Sequence, residues 1–127
     1  MPIKILDVGQ CGFDGPRMAS LWEDELGAAV DQADSGEDAV QQAKGGKYDL
    51  ILVNRVLADD GSSGLDVIKD LIDSGTNTPV MLVSDRDDAQ EKAVKLGAMR
   101  GFGKAELDSP TTLKLVADTA KKHHKKA

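Results

Sequence analysis

Lys47-Tyr48-Asp49-Leu50-Ile51-Leu52-Val53-Asn54 is the stretch on which the fold turns. Its centre, Leu50–Val53, is apolar at every position, bounded by charge on one side and an amide on the other. A run this short, apolar on both faces, belongs in the middle of a parallel sheet covered on two sides. Weaker runs of the same kind lie outward from it: Ile3–Val8 and Ala28–Ala33 upstream, Pro79–Val83 and the marginal Arg100–Gly103 downstream. Helical stripes fill the intervals. Met18, Leu21, Trp22 and Leu26 follow Asp14-Gly15-Pro16, where Asp14 is expected to cap the helix and Gly27 to end it. Ser35 is expected to cap a helix over Glu37–Lys44. Leu65, Ile68, Leu71 and Ile72 mark a third helix, Asp85–Leu96 a fourth, and Ser109-Pro110 opens a last one carrying Leu113, Leu115, Val116 and Ala120. Strand and helix thus alternate five times, which predicts an α/β fold: a five-stranded parallel sheet with helices on both faces.

The chain has 127 residues, one domain's worth, and at 3% aromatic content its core must be aliphatic. A net charge of −6 argues against general nucleic-acid binding, since the only dense basic run is Lys121–Lys126. Cys11 is the sole cysteine, so no internal disulfide or cysteine-based zinc site is possible. The N-terminus lacks the apolar core of a signal peptide, and no stretch reaches the ~20 apolar residues of a membrane span. A cytoplasmic protein with no membrane partner is expected. The division expected is a domain over residues 1–121 and a basic tail over 122–127.

Ligands of such sheets sit at the carboxyl ends of the strands, so the loops after Val8, Val53, Val83 and Gly103 are the ones to read. Six segments, in order, carry a resemblance: Lys4-Ile5-Leu6, Ser35–Val40, Lys47–Val53, Gly64–Ile68, Pro79–Ser84 and Lys95–Ala98, leading to Lys104. Over about residues 3–121 the chain resembles the receiver domain of two-component response regulators. The resemblance implies a flavodoxin-like (βα)5 arrangement with strand order 2-1-3-4-5.

It also implies a site. In such domains two adjacent acids after the first strand hold Mg²⁺, and an Asp ending the third accepts a phosphoryl group. A Ser or Thr ending the fourth and a Lys ending the fifth bind phosphoryl oxygens. Matched by position, the metal acids fall on Gly9 and Gln10, the acceptor on Asn54, the hydroxyl on Ser84 and the lysine on Lys104. The two phosphoryl-binding groups are kept; the nucleophile and both metal ligands are not. An amide has no anionic oxygen to attack phosphorus, and Mg²⁺ prefers carboxylates. Other departures agree. Asp85 replaces the small residue after the hydroxyl, Ala105 the proline after the lysine, and Gly101 the aromatic switch residue, with Phe102 one place off. The loop from Asn54 to Gly64 is longer than usual.

Asp7 sits where the strand is normally apolar and is expected to be hydrogen-bonded inside the sheet or turned to an edge, the alternative being a displaced cation site on Asp7 or Asp85. Asp59 and Asp60 are expected to build a turn, and Lys104, without a phosphate, to pair with Asp85 or Asp7. Cys11 reads as a small residue in a glycine-rich turn. The segment Gly9–Gly15 does not match a dinucleotide-binding spacing, and the only histidines, His123 and His124, lie at the C-terminal end, away from any cobalamin-ligand position.

The expectation is therefore a degenerate receiver with no catalytic residues, no metal and no cofactor. It would act in signalling by phosphorylation-independent contact with a protein partner, a kinase or an output domain. The alternative is a receiver that uses an unorthodox acceptor acid, Asp59, Asp60 or Asp85, or that binds a small ligand at the strand carboxyl ends. The expected docking face comprises Gln90, Glu91, Arg100, Phe102 and the exposed side of Pro110–Lys122.

Overall fold

Leu50–Asn54 forms the central strand, as its unbroken apolar run requires, and every other element is placed by it. The computed structural model describes residues 2–126. Five strands, β1 (Lys4–Val8), β2 (Ala29–Ala33), β3 (Leu50–Asn54), β4 (Val80–Val83) and β5 (Met99–Phe102), form one parallel sheet in the order β2-β1-β3-β4-β5. The helices between and after them are α1 (Asp14–Leu26), α2 (Gly36–Gly45), α3 (Gly64–Asp73), α4 (Asp87–Leu96) and α5 (Pro110–Lys126). The expected sheet, order and alternation are all present.

The alternation of side chains along each strand splits the core in two. Leu6, Val8, Ile51, Val53, Val80 and Leu82 pack under Val67, Ile68 and Leu71 of α3 and Ala89 and Ala93 of α4. On the other face Ile5, Leu50, Leu52, Met81 and Val83 meet Met18 and Trp22 of α1 and Val116 and Ala120 of α5. Each such side chain removed from water contributes roughly 1.5–3 kcal/mol before entropy is counted. The two large aromatics of this second layer, Trp22 and Phe102, meet edge to face at 5.8 Å.

Local chemistry sets the ends of the elements. Ser35 caps α2 by accepting from the Asp38 amide at 3.1 Å, and Ser109 Oγ accepts from the Thr112 amide at 3.1 Å at the start of α5. Asp14 is not the cap it was expected to be. Phe13 occupies that position, and Cys11 Sγ takes the Asp14 amide at 3.3 Å. Asp14 is thereby the first helical residue, with its carboxylate free to turn elsewhere. α4 begins two residues later than its apolar pattern suggests, because Ser84 Oγ binds the Arg86 amide in a tight turn at 3.1 Å.

Two residues expected on a docking face are inside the molecule. Between β4 and β5 the register slips, with Met81 opposite Met99 but Val83 opposite Phe102. The extra residue on β5 leaves ladder groups unpaired, and the buried Gln90 side chain supplies their partners. Its Nε2 donates to the Leu82 and Ser84 oxygens at 2.9 and 3.0 Å, and its Oε1 accepts from the Gly101 amide at 2.8 Å. Phe102 is 6% exposed and belongs to the α1–α5 layer. Glu91 and Arg100 remain exposed. At Gly101 any Cβ would overlap the Leu82 carbonyl, so the aromatic found at this position in similar domains has no room here.

Candidate functional site

The carboxyl ends of β1, β3, β4 and the turn after β5 converge on one edge of the sheet. Between them lies a cleft of about 270 Å³ lined by Asn54, Arg55, Val56, Val83, Ser84, Asp85, Arg86 and Lys104. Three of the five residues singled out from the sequence, Asn54, Ser84 and Lys104, line this cleft. Gly9 and Gln10 do not.

Asn54 ends β3 with its side chain turned to the neighbouring loops. Its Nδ2 donates to the Gly9 carbonyl oxygen at 3.0 Å and to the Val56 carbonyl oxygen at 2.8 Å. Two carbonyls face this group, so only the amide nitrogen satisfies both. The Gly9 oxygen also accepts from the Ala58 amide at 3.0 Å. The loop after β1 is thereby stitched to the loop after β3.

That second loop also carries Leu57, which the sequence reading did not single out. The loop folds back on itself: the Leu57 amide donates to the Ser62 oxygen at 2.9 Å and the Gly64 amide to the Arg55 oxygen at 2.7 Å. The fold-back drives Leu57 inward, where it is 1% exposed and joins the α2–α4 core layer. It lies against Gly9, which has φ +79°, and any Cβ at Gly9 would collide with Leu57 Cγ. The signal in the sequence is the short apolar run Val56-Leu57-Ala58 inside the loop.

Gln10 turns away from the cleft into the sheet edge. Its Nε2 donates to Asp7 Oδ1 at 3.0 Å. Asp7 is fully buried, as expected for a carboxylate hydrogen-bonded inside the sheet. Its other oxygen and the Gln10 oxygen lack partners among the described residues. Burial pushes the Asp7 carboxyl up to about 7; the Gln10 hydrogen bond and the Lys104 charge pull the other way, and Asp14 adds to the rise.

Lys104 pairs with neither Asp85 nor Asp7. Its ammonium donates to Asp14 Oδ2 at 2.8 Å, in a partly buried ion pair spanning the sheet edge. The displaced start of α1 leaves Asp14 free to make this pair. The Lys104 hydrogen bond holds the Asp14 carboxyl below the usual carboxylate range. Asp85 Oδ1 instead lies near the Ala105 amide, at 3.4 Å. Asp60 accepts from the Ser62 amide and hydroxyl at 2.9 and 2.6 Å, building the turn expected of it, and Asp59 is exposed. Among the described residues, no three His, Cys, Asp or Glu side chains are grouped so as to hold a metal ion.

A five-stranded parallel sheet of this order, with its loops gathered at the carboxyl edge, is the flavodoxin-like arrangement, which signalling receivers share with other proteins. A family model, the response regulator receiver domain, matches residues 16–115, and the chain belongs to that family of two-component signalling proteins. The matched segment starts within α1, so β1 and the loop bearing Gly9 and Gln10 lie outside it. The transcriptional regulatory protein CiaR of Streptococcus pneumoniae is 33% identical over 92 residues, covering 61% of this chain and 40% of that protein. The chain therefore spans well under half the length of this curated relative. A CheY-like receiver domain protein from Methanospirillum hungatei superposes over all of both chains with a TM-score of 0.82 at 15% identity. NtrX from Brucella abortus superposes over 99% of this chain and 29% of its own, with a TM-score of 0.81 at 20% identity. A Burkholderia pseudomallei response regulator, solved with a phosphorylated aspartic acid, a calcium ion and citrate, matches 98% of this chain and 73% of its own (TM-score 0.73, 21% identity). At these identities the superpositions speak for the fold. Among the described residues no helix is long and apolar enough to cross a membrane.

Proposed function

We propose that this receiver works without phosphorylation, as a protein-interaction module that holds one conformation. The observation that carries the reading is the Asn54 side chain, whose amide donates to both the Gly9 and Val56 oxygens. A carboxylate there would face two carbonyl oxygens with no proton to share. The residues at the metal positions do not fit Mg²⁺. Gly9 has no side-chain ligand atom and no room for one beside Leu57, and Gln10 offers only a neutral amide oxygen, on a buried side chain held to Asp7 through its nitrogen and outside the cleft. Mg²⁺ asks for a near-octahedral set of oxygens with at least one or two carboxylates.

The retained groups have been drawn into structural work. Lys104 holds Asp14, and Ser84 Oγ holds the Arg86 amide. With Gly101 closing off the aromatic position, the usual relay from strand end to docking face is missing as well. A partner, a kinase or an output domain, would then meet the same surface at all times. The module is placed in the cytoplasm, with neither nucleic acid nor membrane as its partner.

Titrating Mg²⁺ into the protein while recording amide shifts tests the reading. Only small, non-saturating shifts spread over the acidic surface are expected. Saturable millimolar shifts clustered on residues 9, 54 and 84 would overturn it.

A further inference from the structure

We propose that the exposed side of α5 from Lys114 to Lys125 is a rigid basic ridge that docks an acidic helical segment of a protein partner. This deepens the interaction-module reading by naming a face and a partner chemistry.

The first observation is charge segregation. Residues 110–127 carry Lys114, Lys121, Lys122, Lys125 and Lys126 against one acid, Asp118, so the remaining chain carries a formal charge of −10. Lys114, Lys121, Lys122 and Lys125 are all exposed, and among the described residues none of them forms an ion pair. Their spacing of seven, one and three residues sets them on one side of the helix, over a length of about 16 Å, with the exposed Asp118 on the same side between Lys114 and Lys121. Lysines in a last helical turn answer the helix dipole, which accounts for Lys125. The dipole disfavours a cation near the N-terminal end, where Lys114 sits, so it does not account for the ridge as a whole.

The second observation is that the ridge is held. Residues beyond 121 read as a tail, yet α5 continues to Lys126, and its last turns are tied to the opposite edge of the sheet. Asp49, 4% exposed at the entrance to β3, accepts from His123 Nδ1 at 3.2 Å and from His124 Nδ1 at 3.0 Å. The same carboxylate takes the Lys4 amide at 3.0 Å, so β1, β3 and α5 meet on one buried acid. A helix end fixed in this way has little backbone ordering entropy left to lose when its lysines are engaged.

The surroundings choose the partner. A long uniform polyanion such as duplex DNA would also meet the acidic body, including exposed Glu23, Asp24 and Glu25 at the end of α1. A membrane surface would do the same, and the apolar side of α5, Val116 and Ala120, is buried against the sheet and has nothing to insert. A three-turn acidic helix matches the ridge in length and avoids the flanking acids.

The experiment uses the full chain and three probes: a three-turn helical peptide with a glutamate face, duplex DNA of matched charge, and phosphatidylcholine–phosphatidylserine vesicles. The peptide should bind saturably, shift amides between Lys114 and Lys125, and weaken about tenfold or more as salt rises toward physiological strength. K121E/K122E/K125E, all on the surface, should abolish binding without changing the melting temperature. H123A/H124A should weaken binding severalfold and speed amide exchange over residues 121–125. DNA or vesicles binding as tightly as the peptide, or peptide binding unchanged by the charge reversal, overturns the proposal. Mg²⁺-dependent phosphorylation would sink the module reading and leave this result untouched, so the two fail separately.

Discussion

The Asn54 side chain donates to the Gly9 backbone oxygen at 3.0 Å, joining the end of β3 to the loop after β1 across the place where similar domains keep a metal ion. This hydrogen bond, with its twin to Val56, makes the amide a structural latch. Asn54→Asp should therefore lower stability by about 1–3 kcal/mol, because a carboxylate loses both bonds and meets two carbonyls. Urea unfolding at neutral pH measures it. Stability equal to or above the parent would show that the latch carries nothing.

Gly9→Asp should cost more than ~2 kcal/mol, since it combines a positive φ with a collision against Leu57. Leu57→Ala opens that space at its own cavity cost. The double variant should then be more stable than the sum of the single losses allows, by about 1–2 kcal/mol in a double-mutant cycle. Strict additivity would mean that Leu57 does not fill the Gly9 side-chain position.

Asp7 makes stability fall as pH rises. Its carboxyl lies near 7 in the folded protein against an ordinary value of 3.8, so between these limits the folded chain binds the proton more tightly than the unfolded one. Below about pH 4 both states are protonated and the contribution is level. It is lost progressively up to about pH 7 and flat beyond, a total of about 4 kcal/mol for a shift of this size. Asp7→Asn should remove that slope and be more stable than the parent at about pH 8 while nearly matching it at about pH 4. Parallel curves for the two proteins would contradict the assignment.

Gln90 supplies the fourth test. Gln90→Ala leaves the Gly101 amide and the Leu82 oxygen without partners at the slipped β4–β5 register, at a cost of about 2–4 kcal/mol. The Gly101 amide should lose its protection from hydrogen exchange ahead of the rest of the sheet. Unchanged protection there would place the support of β5 elsewhere.

The sequence made the sheet legible because Leu50–Val53 admits one interpretation, and because strand ends carry Asn54, Ser84 and Lys104 to one edge whatever the loops do. What it hid was contact across the chain. Gln90 gives no pattern, since a buried polar residue is chosen by the groups it must satisfy. The partner of Lys104 was misjudged because Asp14 lies 90 residues away and was assigned to a cap that Phe13 and Cys11 fill between them. Leu57 escaped notice because the run Val56-Leu57-Ala58 is too short to show a period, and nothing in it says that Leu57 is buried while Val56 is exposed. His123 and His124 fall in the basic tail of the sequence reading because the acid that holds them, Asp49, lies in a different part of the chain.

The measurement that bears most directly on the central claim is the intact mass of the protein after incubation with Mg²⁺ and a small phosphodonor such as acetyl phosphate, for the parent chain and for Asn54→Asp. The parent should show no added phosphoryl group, and the variant should stay unlabelled too, because the acids that would hold a charge-neutralising metal ion are still missing at Gly9 and Gln10. A mass gain of one phosphoryl group on the parent, mapped to Asp59, Asp60 or Asp85, would contradict the account, as would efficient labelling of the variant.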